Sequence, residues 1–315
     1  MKQKTVLAHL GRWTVALIVF LSTAVAAQEQ GWRLGAVTFR NVAGVTSFEK
    51  SADLTYNPTV SSLLSIAPSH LFKNQVALRL GVGLSYEWTN PDFQTTRHEV
   101  WLSDPSVMVT YPLLTLGKGV RLTGGTGLIA PLSPISKAAS LITRLDQSLT
   151  LSSTVSGWTF SYAARGSKLF HEFTTGQLED ARIGACTGDS CLTLVHTGLR
   201  NASWSTSHFL STSYAVTSSL SLMLSGGVIA AGLYPLTSVP SLPDDVGTDM
   251  RYLASSRVSA SYALNTGCSM SGGVESFHTQ LRPDGIRQTV LFNRYAQVFI
   301  DFMLTETCFG SDSKG

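Results

Sequence analysis

The segment from Gln75 to Trp88 alternates between two kinds of residue without interruption. Its even positions are apolar or aromatic: Val76, Leu78, Leu80, Val82, Leu84, Tyr86 and Trp88. Its odd positions are polar or small: Gln75, Ala77, Arg79, Gly81, Gly83, Ser85 and Glu87. A period of two over this length predicts a β-strand with one apolar and one polar face. Its length and its aromatic end are typical of a strand that crosses a membrane, with lipid on one side and water on the other.

The same pattern recurs along the chain and predicts about twelve strands. They are placed at Arg33–Val42, Asp53–Ile66, Gln75–Trp88, Val100–Tyr111, Val120–Ala130, Ser148–Val155, Trp158–Ser167, Trp204–Val216, Leu220–Tyr234, Arg251–Ala263, Cys268–His278 and Gln288–Leu304. Short connections follow the even-numbered strands, and most long connections follow the odd-numbered ones. This predicts an all-β fold, a transmembrane antiparallel up-and-down β-barrel. A soluble β-sandwich is the alternative, but its strands are shorter and its inner face is not so uniformly Ser, Thr, Gly and Arg.

The N-terminus predicts a cleaved signal peptide. Lys2, Lys4 and Arg12 precede an apolar run at Thr14–Ala24, and small residues follow at Val25–Ala27. The alternative, a membrane anchor helix, needs about 20 apolar residues, which this run does not reach. We therefore divide the chain into a signal peptide, residues 1–27, and a barrel, residues 28–315.

Composition is consistent with an exported barrel and argues against other classes. The chain has 23 Lys and Arg against 20 Asp and Glu, and three of the basic residues belong to the signal peptide, so the mature chain is balanced at 20 and 20. Such a balance gives no reason to expect a nucleic-acid partner. Charged residues are only 14% of the chain, and no long apolar run follows the signal peptide. A closed barrel satisfies its backbone groups without such a run.

The strands at Ser213–Val216 and Ser261–Leu264 carry an aromatic residue near their ends, and the last strand is rich in aromatics. With the signal peptide and the alternating strands, the mature chain resembles a Gram-negative outer-membrane protein of the porin-like class. The resemblance implies the bacterial outer membrane, both termini in the periplasm, and contact with lipid, lipopolysaccharide and the barrel-assembly machinery. One departure is that Phe302 and Phe309 are followed by a further tail, whereas such barrels often end on an aromatic residue.

Candidate catalytic and metal-binding groups are few. The outer-membrane lipid hydrolases use a His with a Ser two residues later, and this spacing is absent at His70, His98, His171, His196, His208 and His278. Omptin-like proteases use an Asp-x-His pair, which is absent. Asp244, Asp245 and Asp249 suggest calcium ligands, and a solvated loop is the simpler interpretation. Cys186, Cys191 and His196 lack a fourth zinc ligand. We expect no enzyme, no cofactor and no metal, and we place His208 on the outer face.

The inward face carries the candidate functional residues. Applying the alternation strand by strand gives the pore candidates Arg79, Glu87, Asp104, Arg121, Arg165, Arg251, Arg257, Glu275 and Asp301, with Arg40 as a further candidate. The same procedure places Trp101 and Val107 on the outer face. Two interpretations stay open: the charges pair with one another and plug a narrow lumen, or they line a wet pore and set its selectivity.

The excess of Arg favours a passive channel for small polar solutes with a weak preference for anions. The alternative is a closed structural barrel that binds a partner through its outer loops, chiefly Leu169–Ala202. A hydrolase is the least favoured of the three.

Four cysteines allow three pairings. The predicted topology places Cys186 and Cys191 in an outer loop and Cys268 and Cys308 at the opposite end. A disulfide requires Cα atoms about 4.4–6.8 Å apart, so the expected bonds are Cys186–Cys191 and Cys268–Cys308. For the second bond, the tail must curl back under the barrel.

Overall fold

The computed structural model describes residues 32–47, 59–72, 74–89, 100–117, 119–179, 185–187, 190–192, 194–235, 249–279, 289–291, 293 and 295–309. The predicted signal peptide lies outside these residues. So do the acidic pair Asp244 and Asp245 and the start of the predicted second strand, Asp53–Pro58. None of the described helices is long and apolar enough to cross a membrane.

The described residues form an all-β fold. In chain order the strands are β1 Trp32–Gly44, β2 Val60–Leu71, β3 Ala77–Glu87, β4 Val100–Leu102, β5 Ser106–Leu116, β6 Val120–Ile129, β7 Leu141–Val155, β8 Trp158–His171, β9 Thr175–Glu179, β10 Ala185–Thr187, β11 Ser190–Leu192, β12 Leu194–Arg200, β13 Ala202–Ala215, β14 Leu220–Leu233, β15 Met250–Ala263, β16 Cys268–Thr279 and β17 Ala296–Leu304. Helical turns are short and lie at Val45–Ser47, Pro134–Ala138 and Glu306–Phe309.

Twelve wall positions close into an antiparallel barrel. The wall contains β1–β8 and β13–β17, and β4 and β5 count as one position because both pair with β3. The barrel closes because β1 pairs with β2 on one side and with β17 on the other; Arg40, for example, lies opposite both Leu63 and Asp301. Closure pairs every wall strand on both sides and removes the exposed edges of an open sheet. The predicted all-β class, the closed antiparallel barrel and the strand number are confirmed.

The two ends of the barrel differ in the length of their connections. The turns after β2, β5, β7, β13 and β15 are short and lie at one end of the barrel. The longer connections, after β1, β3, β6, β8, β14 and β16, lie at the other end. We call the first end the short-turn end and the other the long-loop end. Strand β1 starts and strand β17 finishes at the short-turn end, so both ends of the barrel domain lie there. The predicted alternation of short and long connections is confirmed.

Exposed apolar side chains form a belt around the outside of the wall. Members with more than a third of their surface exposed include Leu80, Val107, Leu128, Leu149, Phe160, Leu210, Leu224, Val258, Val298 and Ile300. They occupy matching positions on neighbouring strands; Leu80 faces Val107, which faces Leu128. A continuous apolar belt of this kind is unfavourable in water and matches the hydrocarbon layer of a membrane.

Aromatic side chains border this belt at the short-turn end. Trp158 lies with its ring centroid 4.7 Å from that of Tyr214 on the neighbouring strand. Trp32 and His70 form a second contact, with centroids 5.4 Å apart. Aromatic girdles at this position are a common feature of barrels that cross the outer membrane.

A β-bulge in β1 explains why the first strand alternates poorly. The register with β2 shifts by one residue between Arg33 and Ala36. Gly35 lies in this bulge with φ of +68°, a left-handed conformation that glycine adopts without strain. A side chain there would collide with the carbonyl oxygen of Ala67, which lies 1.9 Å from the ideal Cβ position. The bulge reverses the alternation, so odd residues face the lumen before it and even residues after it.

A second irregularity separates β4 from β5 and corrects the predicted orientation of Trp101. Ser85 pairs with Trp101, but Gly81 pairs with Ser106, so β4–β5 contains one more residue than β3 between these points. The extra residue lies within Ser103–Pro105 and reverses the alternation. Trp101 therefore shares the inner face with Ser85, and its predicted outward position is wrong; Val107 beyond the bulge is on the outer face as predicted.

Some strand boundaries also differ from the prediction. Strand β2 continues through Pro68 to Leu71, five residues beyond the predicted end. Its alternation of inward and outward residues persists there, and Ser69 and His70 still pair with β1. Strand β7 begins at Leu141, directly after the short helix Pro134–Ala138, rather than at Ser148. Strand β17 begins only at Ala296, where a turn ends: the carbonyl of Asn293 accepts a hydrogen bond from the Ala296 N–H at 2.9 Å.

A disulfide fixes the chain end to the short-turn end. Cys268 and Cys308 are bonded, with Cα atoms 5.0 Å apart. The helix Glu306–Phe309 brings Cys308 back to the start of β16, where Gly267 leaves no room for a Cβ because the Cys308 nitrogen would lie 2.1 Å away. The predicted curl of the tail is confirmed. At the other end the backbone sets Cys186 directly opposite Cys191 in the β10–β11 pair, and their disulfide stays a prediction.

Candidate functional site

Four charged side chains form a cluster on the inner face, at the middle of the wall. This central cluster consists of Arg40 on β1, Arg257 on β15, Glu275 on β16 and Asp301 on β17. Cross-strand register places them together, because Arg40 lies opposite Asp301 and Arg257 lies opposite Glu275. Side chains directly opposite each other on one face of a sheet are close enough to interact.

Every charge in the central cluster has two partners of opposite sign. Arg257 Nη2 lies 3.2 Å from Asp301 Oδ2, and Arg257 Nη1 lies 3.7 Å from Glu275 Oε2. Arg40 Nη1 lies 3.6 Å from Asp301 Oδ2, and its other terminal nitrogen donates to Glu275. Two positive and two negative charges make the cluster neutral. The cluster therefore shapes and stiffens the wall around the lumen and adds little net electrostatic field.

One aromatic ring contacts both arginines of this cluster. Phe299 is 1% exposed, and its ring centroid lies 4.0 Å from the guanidinium carbon of Arg257 and 4.7 Å from that of Arg40. These two cation–π contacts help to hold the guanidinium groups in place. Phe299 therefore belongs to the candidate site although it carries no charge.

A second cluster surrounds Asp146 on β7. Its carboxylate is 2% exposed and accepts a hydrogen bond from Ser167 Oγ at 2.7 Å. Arg144 Nε lies 3.1 Å and Arg165 Nη1 lies 3.9 Å from its oxygens. With two arginines and one carboxylate, this Asp146 cluster carries one net positive charge.

The two clusters lie on roughly opposite sides of the barrel at similar depth. The central cluster spans β15, β16, β17 and β1, and the Asp146 cluster spans β7 and β8. Around the wall, β13 and β14 separate the two clusters on one side, and β2, β3, β4–β5 and β6 separate them on the other. Arg257 and Arg165 are each the eighth residue of a 14-residue strand, so both clusters occupy the middle of the wall.

A cavity of about 350 Å³ lies inside the barrel beside the Asp146 cluster. Its polar lining combines hydroxyl groups with one charged side chain, namely Thr110, Thr123, Ser148, Thr150, Arg165 and Ser207, and the apolar side chains of Met108 and Phe209 complete it. Hydroxyl groups both donate and accept hydrogen bonds, so this surface suits water and small polar solutes.

Three further arginines reach the inner face near the short-turn end. Arg79 and Arg121 were predicted on the inner face, and each is among the first three residues of a strand that begins at the short-turn end. Arg33 joins them because the bulge at Gly35 turns it inward, opposite Ser69, which lies opposite Arg79. All three side chains are exposed, and among the described residues no carboxylate lies within ion-pair distance of any of them.

Two further predicted lumen residues, Glu87 and Arg251, lie at the long-loop end of the barrel. Glu87 ends β3 and accepts a hydrogen bond from the Val60 N–H at 3.1 Å and another from the Thr89 hydroxyl. Arg251, the second residue of β15, contacts the carbonyl of Arg200, with Nη2 3.4 Å from the oxygen. These groups complete the hydrogen bonding of loops and strand ends.

Asp104 lies in the irregular segment between β4 and β5 rather than on a regular strand face. Its carboxylate accepts hydrogen bonds from the N–H groups of Leu132 and Ser133, at 2.8 and 2.7 Å, and from the Ser136 hydroxyl. It therefore anchors the loop before β7 and is not an independent charge in the lumen.

The sequence missed three members of the site for identifiable reasons. Asp146 was assigned to a loop because the alternation of β7 was recognised only from Ser148 onward. Arg33 was given no inward position because the bulge interrupts its strand. Phe299 is apolar, so the search for inward charges passed over it, and only its contacts show its role. A test for alternation that allows one inserted residue would have found Arg33.

The described histidines show no arrangement of a nucleophile and a base. His208 lies on the outer face, as predicted, with Nδ1 2.7 Å from the hydroxyl of Tyr162. His171 Nδ1 lies 2.7 Å from the carbonyl oxygen of Ala139. Asp249, a candidate calcium ligand, forms an ion pair with Arg200 at 3.1 Å. Within the described part of the chain, no group of three potential metal ligands was found.

No protein-family profile matches the chain, and no curated protein matches it in sequence. Solved structures do match. An outer membrane channel from Pseudomonas putida F1 superposes with a TM-score of 0.53 at 12% identity, over 87% of this chain and 95% of that one. The chain has the fold of an outer-membrane β-barrel. The NanC porin matches with a TM-score of 0.45 at 10% identity, over 85% and 98% of the two chains. LpxR from Salmonella typhimurium matches with a TM-score of 0.38 at 8% identity, over 86% and 99%.

Proposed function

We propose that this outer-membrane barrel is a passive channel for small polar solutes with a weak preference for anions. The observation that carries the proposal is the inner face: hydroxyl groups and Arg165 line part of a cavity there, and among the described residues no carboxylate lies within ion-pair distance of Arg33, Arg79 or Arg121. A wall that served only to close the barrel would not need charges without partners, because an unpaired charge in a low-dielectric lumen is costly. Water in the lumen removes that cost.

The charge balance of the inner face supports the anion preference. Inward strand positions in the described residues carry eight arginines: Arg33, Arg40, Arg79, Arg121, Arg144, Arg165, Arg251 and Arg257. They carry four carboxylates: Glu87, Asp146, Glu275 and Asp301. Fixed charges of one sign in a low-dielectric channel raise the local concentration of ions of the other sign.

The strand number is compatible with a narrow aqueous path. Barrels of about 8 strands are filled by their own side chains, and barrels of about 16–18 strands enclose wide channels. Twelve wall positions lie between these limits, so the size of the inward side chains decides the width. Serine, threonine and glycine on the inner face favour an open lumen, and the two clusters narrow it at mid-depth.

The fold supports a location in the bacterial outer membrane. We propose that the short-turn end faces the periplasm and the long loops face outward, as in barrels of this kind. Both termini then lie in the periplasm, and lipid, lipopolysaccharide and the barrel-assembly machinery are the expected contacts. A cysteine at Ser218, in a short turn, should resist an impermeant thiol reagent on intact cells, in a variant in which the native cysteines are replaced.

Conductance measurements test the channel directly. The refolded protein should produce discrete current steps in a planar bilayer, and a KCl gradient should give a zero-current potential of the sign for chloride preference. Heat-modifiable migration in electrophoresis serves as the folding control. A correctly folded protein that gives no current steps would contradict the channel.

A closed barrel that acts through its loops is the second candidate. The mutual pairing of Arg40, Arg257, Glu275 and Asp301 favours it, because a neutral, rigid cluster can block a lumen. Electrical silence of the folded protein would support this alternative. Enzymatic activity has no candidate site among the described residues, and we propose that the protein hydrolyses neither phospholipid nor peptide; incubation of the folded protein with both substrates tests this.

A further inference from the structure

We infer that Arg33, Ser69 and Arg79 form a binding site for the carboxylate or phosphate group of a small solute, near the short-turn end of the lumen. The inference rests on the proposed channel and names the group that it recognises. The three residues occupy matching inward positions on β1, β2 and β3, because Arg33 lies opposite Ser69 and Ser69 lies opposite Arg79.

The spacing of these strands suits a single anion between two guanidinium groups. Neighbouring strands lie about 4.8 Å apart, so the Cα atoms of Arg33 and Arg79 are roughly 10 Å apart with Ser69 between them. Both long side chains leave the same face of the sheet and can converge above the serine. Guanidinium groups bind the oxygens of carboxylate and phosphate in pairs, and the hydroxyl of Ser69 is placed to donate a further hydrogen bond.

The carboxylates of the central cluster do not neutralise the charges of Arg33 and Arg79. Arg40 lies seven residues beyond Arg33 on the same strand, which is roughly 20 Å along its length. This distance exceeds two screening lengths at physiological ionic strength, about 8 Å each. The carboxylates of Glu275 and Asp301 are moreover engaged by Arg40 and Arg257. Glu306 lies at the same end, in the helix that packs against β1, but among the described residues it forms no ion pair with Arg33 or Arg79. The charges of both arginines therefore stay available to a solute.

The opposite wall offers hydroxyl groups instead of carboxylates at this depth. Inward positions near the short-turn end of the strands from β7 to β16 include Ser152, Ser161, Ser221, Ser259, Ser261 and Ser271. An anion held by the two arginines thus meets no negative charge across the lumen among these positions. Serines also suit the polar remainder of a hydroxylated solute.

Arg121 provides a matched control. It is also an inward, exposed arginine near the short-turn end, but it lies on β6, and the residue of β6 that the register places level with Arg79 is Gly127, by way of Met108. Arg121→Ala therefore removes the same charge from the same half of the lumen without touching the proposed site. A general electrostatic effect would respond equally to all three arginines, whereas a site would not.

The experiment measures anion binding separately from conduction. Titration calorimetry of the folded full-length protein in detergent, with inorganic phosphate and with succinate as probes, gives dissociation constants. Bilayer recordings give the reduction of chloride current by the same anions. We expect at least one probe to bind, Arg33→Ala and Arg79→Ala to weaken binding at least tenfold, and Arg121→Ala to weaken it less than threefold. Binding of phosphate alone or of succinate alone identifies the group preferred.

Three outcomes would overturn the site. They are no measurable binding of either anion, equal weakening by Arg121→Ala, and unchanged binding in both site variants. Each can occur in a protein that still conducts, so the channel would survive them; an electrically silent protein that binds anions would instead contradict the channel alone. If an alanine variant does not fold, Arg33→Lys and Arg79→Lys keep the charge but lose the paired geometry, and each should weaken binding at least threefold.

Discussion

The central cluster and the short-turn arginines use the same residue type on the same face of the same barrel, but in opposite ways. In the central cluster, Arg40 and Arg257 each contact two carboxylates and one aromatic ring. Near the short-turn end, Arg33 lies opposite Ser69, and Arg79 lies opposite Ser69 on one side and Met108 on the other, so neither faces a carboxylate in the register of its strand. Ion pairing gives Arg40 and Arg257 a structural role in the wall, whereas Arg33 and Arg79 keep their charge available to a solute.

Register decides which role an inward arginine takes. Arg40 meets Asp301 because the closing strand pair places them opposite each other, and Arg257 meets Glu275 in the same way. A shift of one residue would send each of these side chains to the lipid face. The comparison therefore predicts that variants of the central cluster affect folding, and that variants of the short-turn arginines affect the passage of ions.

The strongest test of this contrast is Asp301→Ala. Removing this carboxylate leaves Arg40 and Arg257 with one partner between them, in a poorly exposed site. We expect the free energy of unfolding to fall by about 3–5 kcal/mol, the usual cost of breaking a buried ion pair. Urea titration of the protein refolded in lipid vesicles, followed by tryptophan fluorescence, measures the change.

Arg79→Ala is the matched control for this variant, since it also removes one inward charge. We expect its unfolding free energy to stay within about 0.5 kcal/mol of the wild type, as for substitutions that break no contact. Equal losses of stability in the two variants would show that the distinction between paired and unpaired charges is wrong.

The next test concerns the side of the wall on which Arg79 lies. Leu80, its neighbour, is on the outer face opposite Val107. Leu80→Arg places a charge against lipid and should cost about 2–4 kcal/mol if it lies near the middle of the bilayer. The same vesicle titration applies. A harmless Leu80→Arg, together with an Arg79→Ala that fails to fold, would reverse the assignment of this strand.

The sequence predicted the barrel, its strand number and most of its inward charges because alternation is a local property. The inward positions of Arg79, Arg121 and Arg257 follow from counting along regular strands. Arg33 and Trp101 could not be placed in this way, since a single inserted residue reverses the count and only the partner strand shows the insertion. Mutual pairing of the inward charges was one of the two predicted interpretations, but the specific pairs were beyond prediction: which acid meets Arg40 depends on the register between the first and last strands.

Gly35→Ala tests the bulge that turns Arg33 inward. Its φ of +68° costs a non-glycine residue about 1–2 kcal/mol, and the collision with the carbonyl of Ala67 adds to this. We expect a loss of about 1–3 kcal/mol in unfolding free energy. Phosphate or succinate binding should weaken as well, because relaxation of the bulge displaces Arg33. Gly166→Ala is the control, since a Cβ there has open space within 4 Å. Unchanged stability and binding in Gly35→Ala would show that the bulge does not fix Arg33.

The smallest effect on stability is expected at the Asp146 cluster. Arg165 is nearly half exposed and lies 3.9 Å from the carboxylate, whereas Arg144 and Ser167 remain in contact with it after substitution. Arg165→Ala should therefore change the unfolding free energy by less than about 1 kcal/mol. Its side chain lines the cavity inside the barrel, so the variant should raise single-channel conductance and reduce the preference for chloride. Because this residue is paired on one side and open to the lumen on the other, it lies between the two classes compared above. A large loss of stability with unchanged conductance would place it with the central cluster, as a structural charge.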